Sequence, residues 1–186
     1  MNNLIWSFSP WVAFLVGVRF GSVYWGAAIG VGVALVVLVR AISRHSVHLF
    51  DVIGVVYFGG LLALLAAIHP ADIATWGRYA QAVAHGSLTV IVFGSILIGR
   101  PFTEPYAREQ APAAVWHSKP FHQLNRRISA VFGLAFLLGT ASLVLAGAQD
   151  SRQFLLRLVV PFGALLLAFT YTQKQAALAG AEAPGN

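Results

Sequence analysis

The chain has 186 residues, 58% of them hydrophobic and only 10% charged, with a mean hydropathy of +0.75. That is too apolar for a soluble domain and describes one membrane domain, while a net charge of +6 fits loops that meet anionic lipid headgroups better than a nucleic-acid partner. With no cysteine, disulfides, thiolate catalysis and cysteine-ligated metals are excluded.

The N-terminus, Met-Asn-Asn-Leu-Ile-Trp, carries no Lys or Arg ahead of its apolar run, so the basic region of a secretory leader is not expected. The first run, Leu4–Val18, is short and interrupted by Pro10, which removes a helix donor. It reads either as a span or as a re-entrant segment, with Trp6 and Trp11 at the interface. A helix needs about 20 apolar residues to cross a bilayer. Val23–Val39, Leu49–Ile68, Ile73–Ile98 and Ile128–Ala148 meet this, and Phe154–Tyr171 does so despite Arg157 and Pro161. Arg157 sits one turn into that run and reads as snorkelling outward. The expected fold is therefore an all-α integral membrane bundle of five to six transmembrane helices. Residues 1–175 form one transmembrane domain, and 176–186 form a flexible tail.

Arg40 and Arg44 follow the second run, five Lys and Arg residues lie in the connector 100–127, and Lys174 lies in the tail. The opposite loops offer Arg19, Asp72, and Asp150 with Arg152. This asymmetry places the connector in the cytoplasm. Gly17, Gly21, Gly26 and Gly30 bring backbones close, either within the bundle or between copies in a homo-oligomer.

Polar residues inside spans face protein or water. Arg78, Gln81, His85 and Thr89 recur at three- and four-residue steps and make one stripe down a helix face. They read as a polar path for protons or ions, or as a buried neutral His85 beneath a snorkelling Arg78. Asp51 is placed to pair with Arg100, Arg126 or Arg127, as a pin between helices or part of a gate. Asn125, heading a weaker stripe with Ser129 and Thr140, reads as the cap of the next helix. His45 with His48, and His117 with His122, lack a third ligand at a recognisable metal spacing. No metal or cofactor is implied, and no phosphate loop, nucleophile elbow or paired-carboxylate motif appears. Catalysis would need an unfamiliar constellation, such as His and Glu acting as acid and base on a lipid.

The connector holds the densest chemistry. Pro101 and Pro105 bracket Thr103 and Glu104, and an amphipathic turn starts at Tyr106 and is limited by Pro112. Trp116 and Phe121 read as interfacial anchors beside Lys119. Glu104, Arg108 and Glu109 can pair with one another or with Arg126 and Arg127. A short helix lying on the inner leaflet is the natural structure.

The string Gly99-Arg-Pro-Phe-Thr-Glu-Pro-Tyr-Ala-Arg-Glu109, followed by Trp116, Pro120-Phe121 and Asn125, resembles small bacterial inner-membrane proteins related to the intracellular septation protein A family. Pro10-Trp-Val-Ala-Phe14 is similar to that family's Pro-Leu-Val-Val-Phe opening, and Arg100-Pro101 to its Lys-Pro after the fourth run. Phe121-x-x-x-Asn125 stands where the family has Trp-x-x-x-Asn. The spacing of the runs agrees over roughly residues 5–172, and the fuller connector string suggests a cousin branch. The resemblance implies a multi-pass protein of the bacterial inner membrane, without known catalysis, serving envelope integrity or division through partners of that machinery. The connector residues Arg100, Pro101, Glu104, Tyr106, Arg108, Glu109, Trp116 and Asn125 would then form the docking or lipid-reading surface. A small channel or proton-coupled transporter built on the Arg78 stripe is the competing expectation, and a lipid-modifying enzyme the third.

Overall fold

The computed structural model describes residues 2–20, 22–68, 70–148 and 155–181; of these, 2, 19, 20, 70–78, 147, 148, 180 and 181 are described by their backbone only. These residues form seven α-helices and no strand: α1 (Asn2–Phe20), α2 (Val23–Ser43), α3 (Leu49–Ala67), α4 (Pro70–Leu97), α5 (Glu104–Arg108), α6 (Lys119–Ala148) and α7 (Val160–Ala181). Five helical segments are long and apolar enough to cross a membrane: Val23–Ser43, Leu49–Ala67, Tyr79–Leu97, Lys119–Ala146 and Leu155–Ala179. The chain is thus a multi-pass membrane protein by helix length and hydropathy. Large apolar side chains point outward, with Leu97 86% and Val90 72% exposed, as expected where the surrounding solvent is hydrocarbon.

The helices belong to two units, Met1–Gln81 and Ala82–Asn186. In the first, α1, α2 and α3 pack on one another. Pro10 does not break α1. Its missing N–H would orphan the Trp6 carbonyl one turn back, and the Ser9 hydroxyl donates to that oxygen at 2.7 Å. The helix therefore continues for 19 residues with no re-entrant turn among them, although its apolar stretch, Asn3–Val18, stays shorter than the five spans. Gly17 and Gly26 let α1 and α2 touch through their backbones: a Cβ on Gly17 would lie 2.8 Å from the Gly26 Cα. Gly30 forms a notch for the Phe58 ring of α3, which also stacks with Trp11 (4.9 Å) and Phe14 (5.3 Å). The Tyr24 hydroxyl donates to the Leu65 carbonyl, one of the orphan acceptors at the end of α3. Gly21 lies outside the described residues.

In the second unit the same notch-and-ring packing recurs. Gly133 of α6 receives Phe93 of α4, and Gly139 receives His85. Phe132 is the hub, 5.1 Å from Phe169 of α7 and edge-on to it. Before α7 the chain makes a π-helical turn, Leu155–Val159, which contains Arg157. Pro161 explains it, because its ring clashes with the carbonyl one α-turn back and the widened turn relieves the clash. The Leu156 carbonyl, five residues before Pro161, is taken instead by the Ser142 hydroxyl of α6 at 3.0 Å. Ala176–Ala181, assigned to the tail by composition, continue α7 as helix. Helix α6 begins at Lys119, well before the apolar stretch, because its first turns rest on the connector and not in lipid.

The close α1–α2 contact predicts a sharp contrast between two glycines of one helix. Gly26→Val drives a side chain into Phe14 and Val18 and should lower the unfolding free energy in detergent by roughly 1–3 kcal/mol. Gly32→Val, which meets open space, should leave it unchanged or raise it.

Candidate functional site

Of the connector 100–127, residues 119–127 are the first turns of α6, and the link that remains between α4 and α6, residues 98–118, is folded and docked. Helix α4 stops in a Schellman turn: Gly99 takes φ +74°, its N–H reaches the Ile96 carbonyl at 3.1 Å, and the Arg100 N–H reaches the Ser95 carbonyl at 2.9 Å. A Cβ at position 99 would be strained in this left-handed conformation, so glycine here fixes the direction in which Arg100 and Pro101 leave the helix. Pro101, Phe102, Thr103 and Tyr106 are all buried. Phe102 meets Phe132 of α6 edge-on at 5.7 Å, which joins the connector to the hub of the second unit.

Hydroxyl groups satisfy the backbone at this junction. The Phe102 N–H donates to the Ser95 hydroxyl at 3.1 Å, and Ser95 in turn donates to the Val92 carbonyl at 2.7 Å. The Thr103 hydroxyl donates to the Asn125 carbonyl at 3.0 Å and lies 2.9 Å from the Ser129 hydroxyl. Thr103, Asn125 and Ser129 are all buried, so these bonds form away from water, where leaving them unmade is costly.

The one-turn helix α5 carries a charged latch over this core. Glu104 accepts from the Arg108 guanidinium at 2.6 Å, and its other oxygen lies 3.0 Å from Nδ1 of His122 in α6. The Arg108 guanidinium carbon stands 5.7 Å from the centre of the Trp116 ring, and the Trp116 indole N–H donates to the Ala111 carbonyl at 2.9 Å. Trp116 is thus held within the connector, with its ring half-buried. Arg100, Glu109, Arg126 and Arg127 are exposed. Asn125 does not cap α6: the helix starts at Lys119, with the Ser118 hydroxyl accepting from the Phe121 N–H at 3.3 Å, and the Asn125 amide donates back to the Phe121 carbonyl at 2.9 Å. Pro120 in the first turn suits that earlier start, since its missing N–H has no partner to lose there.

The structure therefore brings together Pro101, Glu104, Tyr106, Arg108, Trp116 and Asn125, and adds Ser95, Phe102, Thr103, His122, Ser129 and Phe132. A signal for the additions was present in Thr103 and Ser129, hydroxyls set among prolines and apolar residues, but the pairing runs across 26 positions and no local pattern carries it.

Along α4, Gln81 and His85 are buried and Thr89 is half-buried, while the Arg78 side chain lies outside the described residues. Thr89 spends its hydroxyl on the His85 carbonyl at 2.9 Å. The His85 ring fills the Gly139 notch and stands edge-on to Phe136, centroids 6.1 Å apart. Asp51 is buried in the first unit, where it accepts from the Ser7 hydroxyl at 2.5 Å and the His48 backbone N–H at 2.9 Å. It supplies the carboxylate half of a capping box for α3. Among the described residues no group of three metal-ligating side chains forms.

No known family model, curated protein or solved structure matches the chain.

Thr103→Val keeps the shape of the side chain and removes its hydrogen bonds. It should cost about 1–3 kcal/mol in detergent unfolding. Limited proteolysis should show faster cleavage between residues 98 and 118 than in the unaltered protein.

Proposed function

We propose that this protein is a non-catalytic membrane scaffold for cell-envelope integrity or division, with the connector as its preformed docking face. One observation carries this reading: a segment of roughly 20 residues between two spans is fastened by buried aromatic and hydroxyl contacts and a half-exposed ion pair, where a link between neighbouring helices needs only a few residues. Arg100, Glu109 and the 112–115 stretch lie exposed on the same segment, held by the bonds beneath them. The order is already in place, so a partner binds without the entropic cost of folding the loop. The likeness of the Gly99–Glu109 string to septation protein A relatives supports the same role and a place in the bacterial inner membrane, with the connector in the cytoplasm.

The competing reading, a proton path along Gln81, His85 and Thr89, has less support. The Thr89 hydroxyl is committed to backbone, and the His85 ring is wedged between Gly139 and Phe136.

In a null strain, Glu104→Ala and Arg108→Ala should fail to restore envelope shape and division while accumulating in the membrane at wild-type level, and His85→Phe should restore both. Full complementation by the two connector variants, together with a proton flux into proteoliposomes that vanishes in His85→Phe, would overturn the scaffold reading in favour of a transporter.

A further inference from the structure

At one end of the first unit, an open, shallow cleft forms between the start of α1, the end of α2 and the start of α3. Asn3, Trp6, Arg40, Arg44, His48 and Asp51 are among the residues that line it. Helix α2 is 21 residues long, enough to cross the hydrocarbon, so its C-terminal Arg40 and Arg44 lie at headgroup level. The chain turns there through a second Schellman motif. His45 adopts φ +52°, with its N–H on the Ile42 carbonyl at 3.0 Å and the Ser46 N–H on the Ala41 carbonyl at 3.0 Å. A left-handed histidine is a conformational cost, and here it holds a tight turn between the two arginines and His48.

The charges in this cleft do not cancel. Its carboxylate, Asp51, is occupied by the Ser7 hydroxyl and the His48 backbone N–H, with His48 Nδ1 at 3.5 Å. Arg40 and Arg44 have no ion-pair partner among the described residues. The Arg40 guanidinium carbon sits 4.2 Å from the centre of the Trp6 ring. A guanidinium held against a ring by cation–π attraction can still donate its N–H groups, which suits a group with several oxygen acceptors. Trp6 itself is partly exposed, as interfacial tryptophans are.

We infer that this cleft binds the phosphate of an anionic phospholipid headgroup, with Arg40 and Arg44 as its donors and Trp6 holding Arg40 in place. The cleft is built wholly from residues of the first unit, and the inference does not depend on the scaffold reading. Its shallow, open form suits a headgroup reached from the bilayer.

The test uses the purified full chain in phosphatidylcholine nanodiscs doped with phosphatidylglycerol, with retained lipid counted by native mass spectrometry. Phosphatidylglycerol should be retained in preference to phosphatidylcholine, and Arg40→Gln with Arg44→Gln should weaken that retention roughly tenfold or more. Removing the same two charges elsewhere, by Lys119→Gln with Lys174→Gln at exposed positions, should change it by less than about twofold. Arg44→Gln alone guards against misfolding, because Arg44 is exposed and has no ion-pair partner among the described residues, and should still lower retention. Equal loss in the two double variants, or equal retention of both lipids by the wild type, would overturn the site. Added inorganic phosphate separates the sources: displacement of the lipid supports a site for phosphate itself, and persistence supports the intact headgroup.

Discussion

Hydrocarbon cannot hydrogen-bond, so every backbone N–H and C=O inside the bilayer must find its partner within the protein. This constraint explains the placement of the serines more than any demand of local helix propensity does. Two prolines lie inside long helical stretches, and each is accompanied by a hydroxyl. Ser9 takes the Trp6 carbonyl that Pro10 leaves, from the same helix. Ser142 takes the Leu156 carbonyl ahead of Pro161, from the neighbouring helix. The remaining prolines among the described residues fall at helix starts or in the connector, where the missing donor has no cost. Tyr24 performs the same service at the end of α3, and two Schellman turns close α2 and α4.

A second rule follows from the absence of a hydrophobic drive between helices in lipid. Attraction must come from contact, so small residues are matched to rings. Gly30 with Phe58, Gly133 with Phe93, and Gly139 with His85 are three uses of one device. The last bears on chemistry. A histidine in an apolar span draws attention as a proton carrier, yet this one occupies the position that a phenylalanine holds in the other two pairs. Here the shape of the ring is what the packing uses. Gly17 and Gly26 are likewise engaged inside the first unit, with a backbone in place of a ring.

Much of the architecture was legible from hydropathy alone, because a spanning helix has to be apolar over its whole embedded length. The second and third apolar runs begin at Val23 and Leu49, and α2 and α3 start at those residues. Hydropathy misplaced what lies beyond the lipid. The polar opening of α6, Lys119–Arg127, is helical because Ser118 and Pro120 start it, and an apolar scan begins only at Ile128. A start at Ile128 makes Asn125 a cap, whereas it stands two turns inside α6. Pro10 suggested a break, since a proline rule counts the lost donor but not the neighbouring hydroxyl. The connector's chemistry was visible as composition; its tertiary bonds were not, because Thr103 with Ser129 and Glu104 with His122 join residues that no helical or strand period relates.

Those same bonds are short in sequence terms. Ser95 to Phe102, Glu104 to His122 and Thr103 to Ser129 all close within one stretch of the chain, bounded by the end of α4 and the beginning of α6. None of them involves α1, α2, α3 or α7. During synthesis both ends of these three bonds are therefore present once Ser129 of α6 has emerged, and short loops of this kind close far faster than a ribosome adds residues. These three bonds can form while the last span is still being made.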